Sequence, residues 1–274
     1  QLEDTARYLH AKAQTKDGVQ VEVQLNIGSD RQEELEAAAY TDGVGLFRSE
    51  FLYMEREALP SEEEQEAAYR KVLSTYGGRP VILRTLDIGG DKTLPCLCLP
   101  KEQNPFLGNR ALRYCLSNPQ LFDTQLRAAL RASVTGNLWL MFPMVGSLED
   151  FRRAKAAVER VKVELVKEGK TFSPDVKLGV MIEIPSIALI ADLIAKEADF
   201  ASIGTNDLCQ YSTASDRMNP AVAEYYQDYH PGLLRLIRFA VEEFVKAGKP
   251  IGICGEMGGN PLALPVLLGF GMRK

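Results

Sequence analysis

The sequence predicts an α/β fold, a (β/α)8 TIM-type barrel. Short apolar, β-branched runs alternate with longer stretches of helical periodicity, the pattern of parallel strands joined by helices. Most of the runs end in a charged or reactive side chain: VGLF in Arg48, VIL in Arg84, GVMI in Glu183, ASIGT in Asn206 and Asp207, IGI in Cys254. In such a barrel the strand C-termini converge on one face, so residues far apart in sequence meet there. A length of 274 residues suits one domain of this kind, which commonly needs about 250 residues.

Taken in order, residues 1–14 read as a short polar helix and TKDG, at 15–18, as a turn, so that 1–18 form a linker ahead of a barrel domain at 19–274. The alternating VQVEVQLNI is the first strand, and strands follow near 43–47, 80–85, 138–143, 178–184, 200–204 and 250–254, all parallel. Between them SDRQEELEAAAYT, SEEEQEAAYRKVLSTYG, NPQLFDTQLRAALRAS and SLEDFRRAKAAVERVKVELVKEG open on Ser or Asn caps, several with acidic first turns, as helices do. The connection from Asp87 to Leu107, rich in Gly and Pro, is the longest irregular one and belongs over the barrel mouth. After a glycine-capped helix in NPLALPVLLGFG the chain stops at Met272, Arg273 and Lys274, where an eighth strand is expected to begin, so the barrel reads as truncated.

Composition narrows the functional classes. With 46% hydrophobic and 25% charged residues, and apolar runs well short of the roughly 20 residues that span a bilayer, a soluble protein with no membrane partner is expected. A net charge of -5 argues against a nucleic-acid surface, so an anionic ligand must be drawn by local arginines. The N-terminus has no secretory pattern, which points to the cytoplasm. Five cysteines without C-x-x-C spacing read as reduced thiols, and the two histidines, His10 in the leader and His230 at a helix end, are too few for a histidine metal site.

The residues at the strand ends allow a sharper reading. Glu183 and Asp207, on neighbouring strand ends, can either share one hard cation such as magnesium or pair with arginines. Arg48, Arg84, Arg110 and Arg217 can fork phosphate or carboxylate oxygens or make ordinary ion pairs; Arg48 and Arg84 interrupt apolar strand ends, which favours the first role. Cys254, among the glycines of GICGEMGGN, is either an accessible thiol or a small buried hydrophobe. Two nucleotide motifs fail: GVGLFR lacks the third glycine of a dinucleotide fingerprint and GGDKT lacks Walker A spacing.

In order and spacing, GVGLFRSEFLYM, VILRTLDIGGDKTLP, NPFLGNRALR, MFPMV, GVMIEIPS, ASIGTNDLCQYSTASDRMNP and GICGEMGGNP resemble the C-terminal domain of enzyme I of the phosphoenolpyruvate-dependent sugar phosphotransferase system. RTLDIGGDK separates this reading from pyruvate phosphate dikinase and phosphoenolpyruvate synthase, which share the barrel. The resemblance implies that Arg48, Arg84, Arg110, Arg217 and Asn206 hold phosphoenolpyruvate, that Glu183 and Asp207 bind Mg2+, and that Cys254 is the acid-base group at the methylene carbon. It also implies a homodimer, phosphoryl transfer to a phosphohistidine domain that these residues do not include, and through it a histidine-containing phosphocarrier protein. The chain would then be part of a longer protein. Asn109, where an aromatic is expected, and Asn260, where GEMGGN stands for GEMAGD, depart from the family pattern. A non-catalytic ligand-binding or dimerising module and another pyruvate-enolate barrel enzyme are the alternatives; RTLDIGGDK speaks against the second.

Overall fold

The structure, a computed structural model, describes residues 8–54, 56–89, 94–97 and 99–274. Its centre is one seven-stranded sheet in sequential order, parallel throughout. The strands are β1 (Leu25–Ile27), β2 (Val44–Arg48), β3 (Pro80–Arg84), β4 (Asn137–Phe142), β5 (Lys177–Ile182), β6 (Phe200–Ile203) and β7 (Ile251–Ile253). The helices are α1 (Gln32–Leu35), α2 (Glu62–Tyr76), α3 (Leu112–Ser117), α4 (Pro119–Ala132), α5 (Leu148–Lys167), α6 (Pro185–Leu189), α7 (Ala191–Glu197), α8 (Thr205–Thr213), α9 (Pro231–Lys246) and α10 (Leu264–Gly269).

Side chains alternate in and out along each strand, and the alternation divides the apolar residues into two cores. Val81, Leu83, Leu138, Leu140, Val180, Ile182, Ala201 and Ile203 face outward and pack with the helices in one large cluster. The residues between them, Leu46, Ile82, Trp139, Met141, Met181 and Phe200, gather with Cys254 into a second, smaller cluster. A flat sheet could not bring β2 and β7 residues into one cluster; this sheet curls, and the second cluster is its interior. Arg48, Arg84, Glu183 and Cys254 stand two residues beyond Leu46, Ile82, Met181 and Gly252, so the period of two turns all of them inward.

The two ends of the curl differ. At the strand N-termini the Lys177 and Lys274 ammonium groups lie 4.5 and 5.4 Å from the centre of the Trp139 ring and close that end. Asn26 on β1 donates through Nδ2 to the Cys254 carbonyl at 2.8 Å, Glu22 N donates to Arg273 O at 2.8 Å, and Lys274 reaches Glu22 at 2.7 Å. These bonds bring the first and last strands toward each other. At the strand C-termini the interior opens into a cavity.

Local chemistry explains the helix ends. Ser61 and Glu64 form a reciprocal capping box at the start of α2, and the Ser147 hydroxyl caps α5. His230 caps α9, its Nδ1 accepting from Gly232 N at 3.1 Å, which is the helix-end place expected for it.

Four expectations are corrected. Residues 8–14 form turns and an isolated antiparallel bridge from Gln14 to Gln20 instead of a helix, and the rest of that predicted helix lies outside the described residues. Only Leu25–Ile27 of the predicted first strand joins the seven-stranded sheet, because Gln20 bridges Gln14, Asp42 accepts from Val23 N and Glu22 turns to Arg273. The helix expected at 29–41 is a short α-helix followed by a 3-10 turn at Glu36–Tyr40. The helix expected at 260–271 is confined to Leu264–Gly269, since Asn260 makes its own turn by accepting from Leu262 N.

Candidate functional site

A cavity of about 680 Å³ opens at the C-terminal end of the curled sheet. Arg48, Arg84, Arg110, Glu183, Asn206, Asp207, Arg217 and Cys254, every candidate site residue read from the sequence, line it. They reach it by different routes. Arg48, Arg84, Glu183 and Cys254 sit at or just past strand ends. Asn206 and Asp207 occupy the first turn of α8, Arg217 the loop after that helix, and Arg110 the end of the Asp87–Leu107 connection and its extension.

Buried ion pairs link these residues. Arg84 Nη1 lies 2.8 Å from Asp87 Oδ2, and Asp87 Oδ1 lies 3.1 Å from Arg110 Nη2. Arg110 Nη1 is 3.4 Å from Asp207 Oδ1, which Arg217 Nη2 approaches to 3.9 Å. The arginine pairing considered for Asp207 is therefore present. Arg84 is held charged: its neighbours Glu50, Asp87 and Glu183 outweigh the burial that opposes the charge. Arg110 is held likewise by Asp87, Asp207 and Glu183 against its burial. Each of these two guanidinium groups still keeps a buried Nε–H without a partner among the described residues. Such unmet donor capacity favours a ligand rich in acceptor oxygens.

Glu183 is 1% exposed, and Met144 N donates to its Oε1 at 2.6 Å. Burial, then the charges of Asp207 and Asp87, push its carboxyl up to about 8 despite Arg110 and Arg84. Two facing carboxylates that resist sharing negative charge are hard oxygen donors of the kind a small divalent cation takes, so the residues fit such an ion. Among the described residues no three His, Cys, Asp or Glu side chains gather for a metal, so a cation here would rest on two carboxylates and on oxygens from outside the protein. Gly204 is required at this point: a Cβ there would lie 2.9 Å from Glu183 Oε2. Gly89, at φ +101, is required for Arg110, whose Cβ would be 2.6 Å from an added Cβ.

Cys254 is 7% exposed, with Sγ 3.6 Å from Ile203 O. Burial pushes its thiol up to about 11, partly offset by a contact with Ser202 and reinforced by Glu183. At neutral pH it keeps its proton. Among the described residues the other cysteines, Cys96, Cys115 and Cys209, are free thiols; Cys98 lies outside them.

The sequence reading missed several contributors. Asp87 joins two of the arginines, and its place three residues after Arg84 in RTLD was the available signal. Tyr211, whose hydroxyl accepts from Arg110 Nη1 at 3.0 Å and donates to Phe106 O, belongs to α8 one helical turn after Asp207. Phe106 lies under the Arg110 and Arg217 guanidinium groups at 5.6 and 6.0 Å. Phe106, at the far end of the Asp87–Leu107 connection, thus meets two lining arginines; residues 90–93 and 98 of that connection lie outside the described residues. Neither departure from the expected pattern, Asn109 nor Asn260, lines the cavity. Asn109 lines a separate cavity of about 250 Å³ with Arg113 and Arg153, and its Nδ2 donates to Ser117 at 3.4 Å.

The family model described as "PEP-utilising enzyme, PEP-binding domain" matches residues 3–274. The chain belongs to that family. Among curated relatives in the family, it is 51% identical over 274 residues to the phosphoenolpyruvate-protein phosphotransferase of Geobacillus stearothermophilus, a match that takes in 100% of this chain and 47% of that protein. It is 52% identical over 276 residues to the protein of the same description from Bacillus subtilis (strain 168), with 100% of this chain and 48% of that protein covered. The chain thus spans about half the length of these relatives. A solved HpcH/Hpal aldolase/citrate lyase family protein from Burkholderia cenocepacia J2315 aligns with a TM-score of 0.54 at 16% identity, over 98% of this chain and 90% of that one. That likeness concerns the fold. Among the described residues no helix is long and apolar enough to cross a membrane.

Proposed function

We propose that this chain binds phosphoenolpyruvate with magnesium and passes the phosphoryl group to a histidine on a separate domain, as the catalytic half of a cytoplasmic phosphoenolpyruvate-protein phosphotransferase serving sugar uptake. The observation that carries the reading is the convergence of four arginines, two carboxylates, an amide and a thiol on one cavity. We read the curled sheet as a (β/α)8 TIM-type barrel in which the gap between β1 and β7, entered by Arg273 and Lys274, is the place of an eighth strand.

Arg48, Arg84, Arg110 and Arg217 supply planar forks for the phosphate and carboxylate of the ligand, and Asn206 orients them through an amide anchored by Glu256 N at 3.0 Å. Glu183 and Asp207 would hold magnesium, which when bound offsets the charge of the phosphoryl and enolate oxygens. The bond between phosphorus and the bridging oxygen breaks as the incoming imidazole nitrogen bonds to phosphorus. The electron pair stays on the enolate, and Cys254 gives its proton to the methylene carbon to release pyruvate. The thiolate then regains a proton from water. We take neither histidine of the chain as the acceptor, because neither lines the cavity: the His10 ring packs 5.0 Å from the Tyr40 ring and His230 caps α9. Onward transfer to a histidine-containing phosphocarrier protein and assembly as a homodimer complete the reading.

Labelled phosphoenolpyruvate with magnesium should leave the isolated chain unlabelled and label a phosphohistidine domain supplied with it. Acid-labile label on His10 or His230 would overturn the division of labour; calorimetric binding without any transfer would reduce the chain to a ligand-binding module.

A further inference from the structure

Glu50 stands outside the cavity yet touches the groups that shape it. It opens the 3-10 turn Glu50–Leu52, two residues after the last residue of β2, and is 5% exposed. Its Oε2 accepts from Arg84 Nη2 at 3.1 Å and its Oε1 from Asp87 N at 3.0 Å. Arg84 is itself 6% exposed, so both charges have left water, and a buried guanidinium without its carboxylate is strongly disfavoured. Arg84 is gripped from two sides, by Glu50 at Nη2 and Asp87 at Nη1.

The second contact extends the effect. By holding the Asp87 backbone, Glu50 fixes the carboxylate that reaches Arg110 at 3.1 Å. From the same side, the Ser49 hydroxyl donates to Arg84 O at 3.0 Å, and Gln125 Oε1 accepts from Leu86 N at 2.8 Å. The Arg84–Asp87 segment is therefore braced from behind, and Glu50 is the charged member of the brace.

We propose that Glu50 is a positioning residue for ligand binding: it sets the plane of the Arg84 guanidinium and the place of Asp87, and acts on the ligand only through them. The proposal rests on the reading of the cavity as a phosphoenolpyruvate site. It predicts coupling.

The test is a double-mutant cycle with Glu50→Gln and Arg84→Met, read by calorimetric titration of the full chain with phosphoenolpyruvate and magnesium, with far-UV circular dichroism to establish folding. Glu50→Gln, whose side-chain oxygen can still accept from Asp87 N, should weaken binding about 10- to 100-fold through Arg84, and by less than about twofold when Arg84 is already Met. Should the glutamine variant not fold, Glu50→Asp, which keeps the charge but shortens the reach and so withdraws from Asp87 N as well, should still cost less affinity when Arg84 is already Met. Equal losses in both Arg84 backgrounds, or parental affinity for Glu50→Gln, would overturn the proposal. The Arg84 Nε–H resonance, assigned by its disappearance in Arg84→Met, gives a ligand-free readout: it should shift or broaden in Glu50→Gln, and an unchanged signal would equally overturn it. A parent chain that fails to bind phosphoenolpyruvate would sink the functional reading, while that resonance still decides the role of Glu50.

Discussion

The proposed role of Cys254, donor of a proton to carbon, requires that the thiol keep its proton at neutral pH, and burial that pushes it up to about 11 would do this. Iodoacetamide should therefore label Cys254 slowly near pH 7 and faster toward pH 11; rapid labelling at pH 7 would contradict a buried, protonated thiol. Cys254→Ala should keep phosphoenolpyruvate affinity and lose about 100-fold or more in turnover with a supplied phosphohistidine domain. Equal losses in binding and rate would point to packing. Glu183 gives a second pH effect. The folded chain holds its proton up to about pH 8, whereas the unfolded chain releases it near 4.5. Between those values the folded state binds more protons, so this residue's contribution to stability falls as pH rises through the window. In chelator-treated protein the melting temperature of Glu183→Gln relative to the parent should rise by a few degrees from pH 5 to pH 8, and a difference that does not vary with pH would refute the assignment. At this scale the sequence was legible where chemistry interrupts a strand: an arginine after VIL or a glutamate after GVMI has no reason to be apolar core. It was silent on Glu50, Met144 and Tyr211, whose roles exist only through contacts made by distant segments.

Among the elements, α2 and α4 show what secures the outer layer. Arg131 reaches Glu62 and Glu66 at 2.6 Å each, and Arg127 reaches Glu62 and Glu168 at the same distance. Below that network, Leu126 and Val72 are 0% exposed. Leu126→Ala should cost about 2–5 kcal/mol in urea unfolding, since it leaves a cavity in a packed core, and Ser61→Ala about 1 kcal/mol through the lost cap. A Leu126→Ala loss near zero would mean that the layer collapses around the gap. The strands were legible because their apolar runs are short and bounded, and helices with Ser caps were legible for the same local reason. The leader and the first strand were not: the alternation in VQVEVQLNI is genuine, but pairing there is decided by Asp42 and by Arg273, which the local pattern does not contain.

Across the whole molecule, the ties between β1 and β7 decide how firmly the cavity is shaped. Asn26→Leu removes the bond to the Cys254 carbonyl, and it should speed both amide exchange at Leu25–Ile27 and alkylation of Cys254; unchanged rates would show that the curl does not depend on this tie. The cavity also has a property that only its full inventory reveals. Among the described residues its lining pairs four arginines with four carboxylates, Asp87, Glu183, Asp207 and Glu256, within a chain of net charge -5. Four arginines against four carboxylates leave the wall formally balanced, with Glu183 in the carboxylate form that holding a cation requires. A ligand carrying about three negative charges would leave that wall with a large negative excess, whereas the same ligand arriving with a dication would leave a much smaller one, and partly buried charge is least costly near balance. Ionic strength should then disturb the pair's association little and the lone anion's much more, because only the latter leaves uncompensated charge for the surrounding salt to screen.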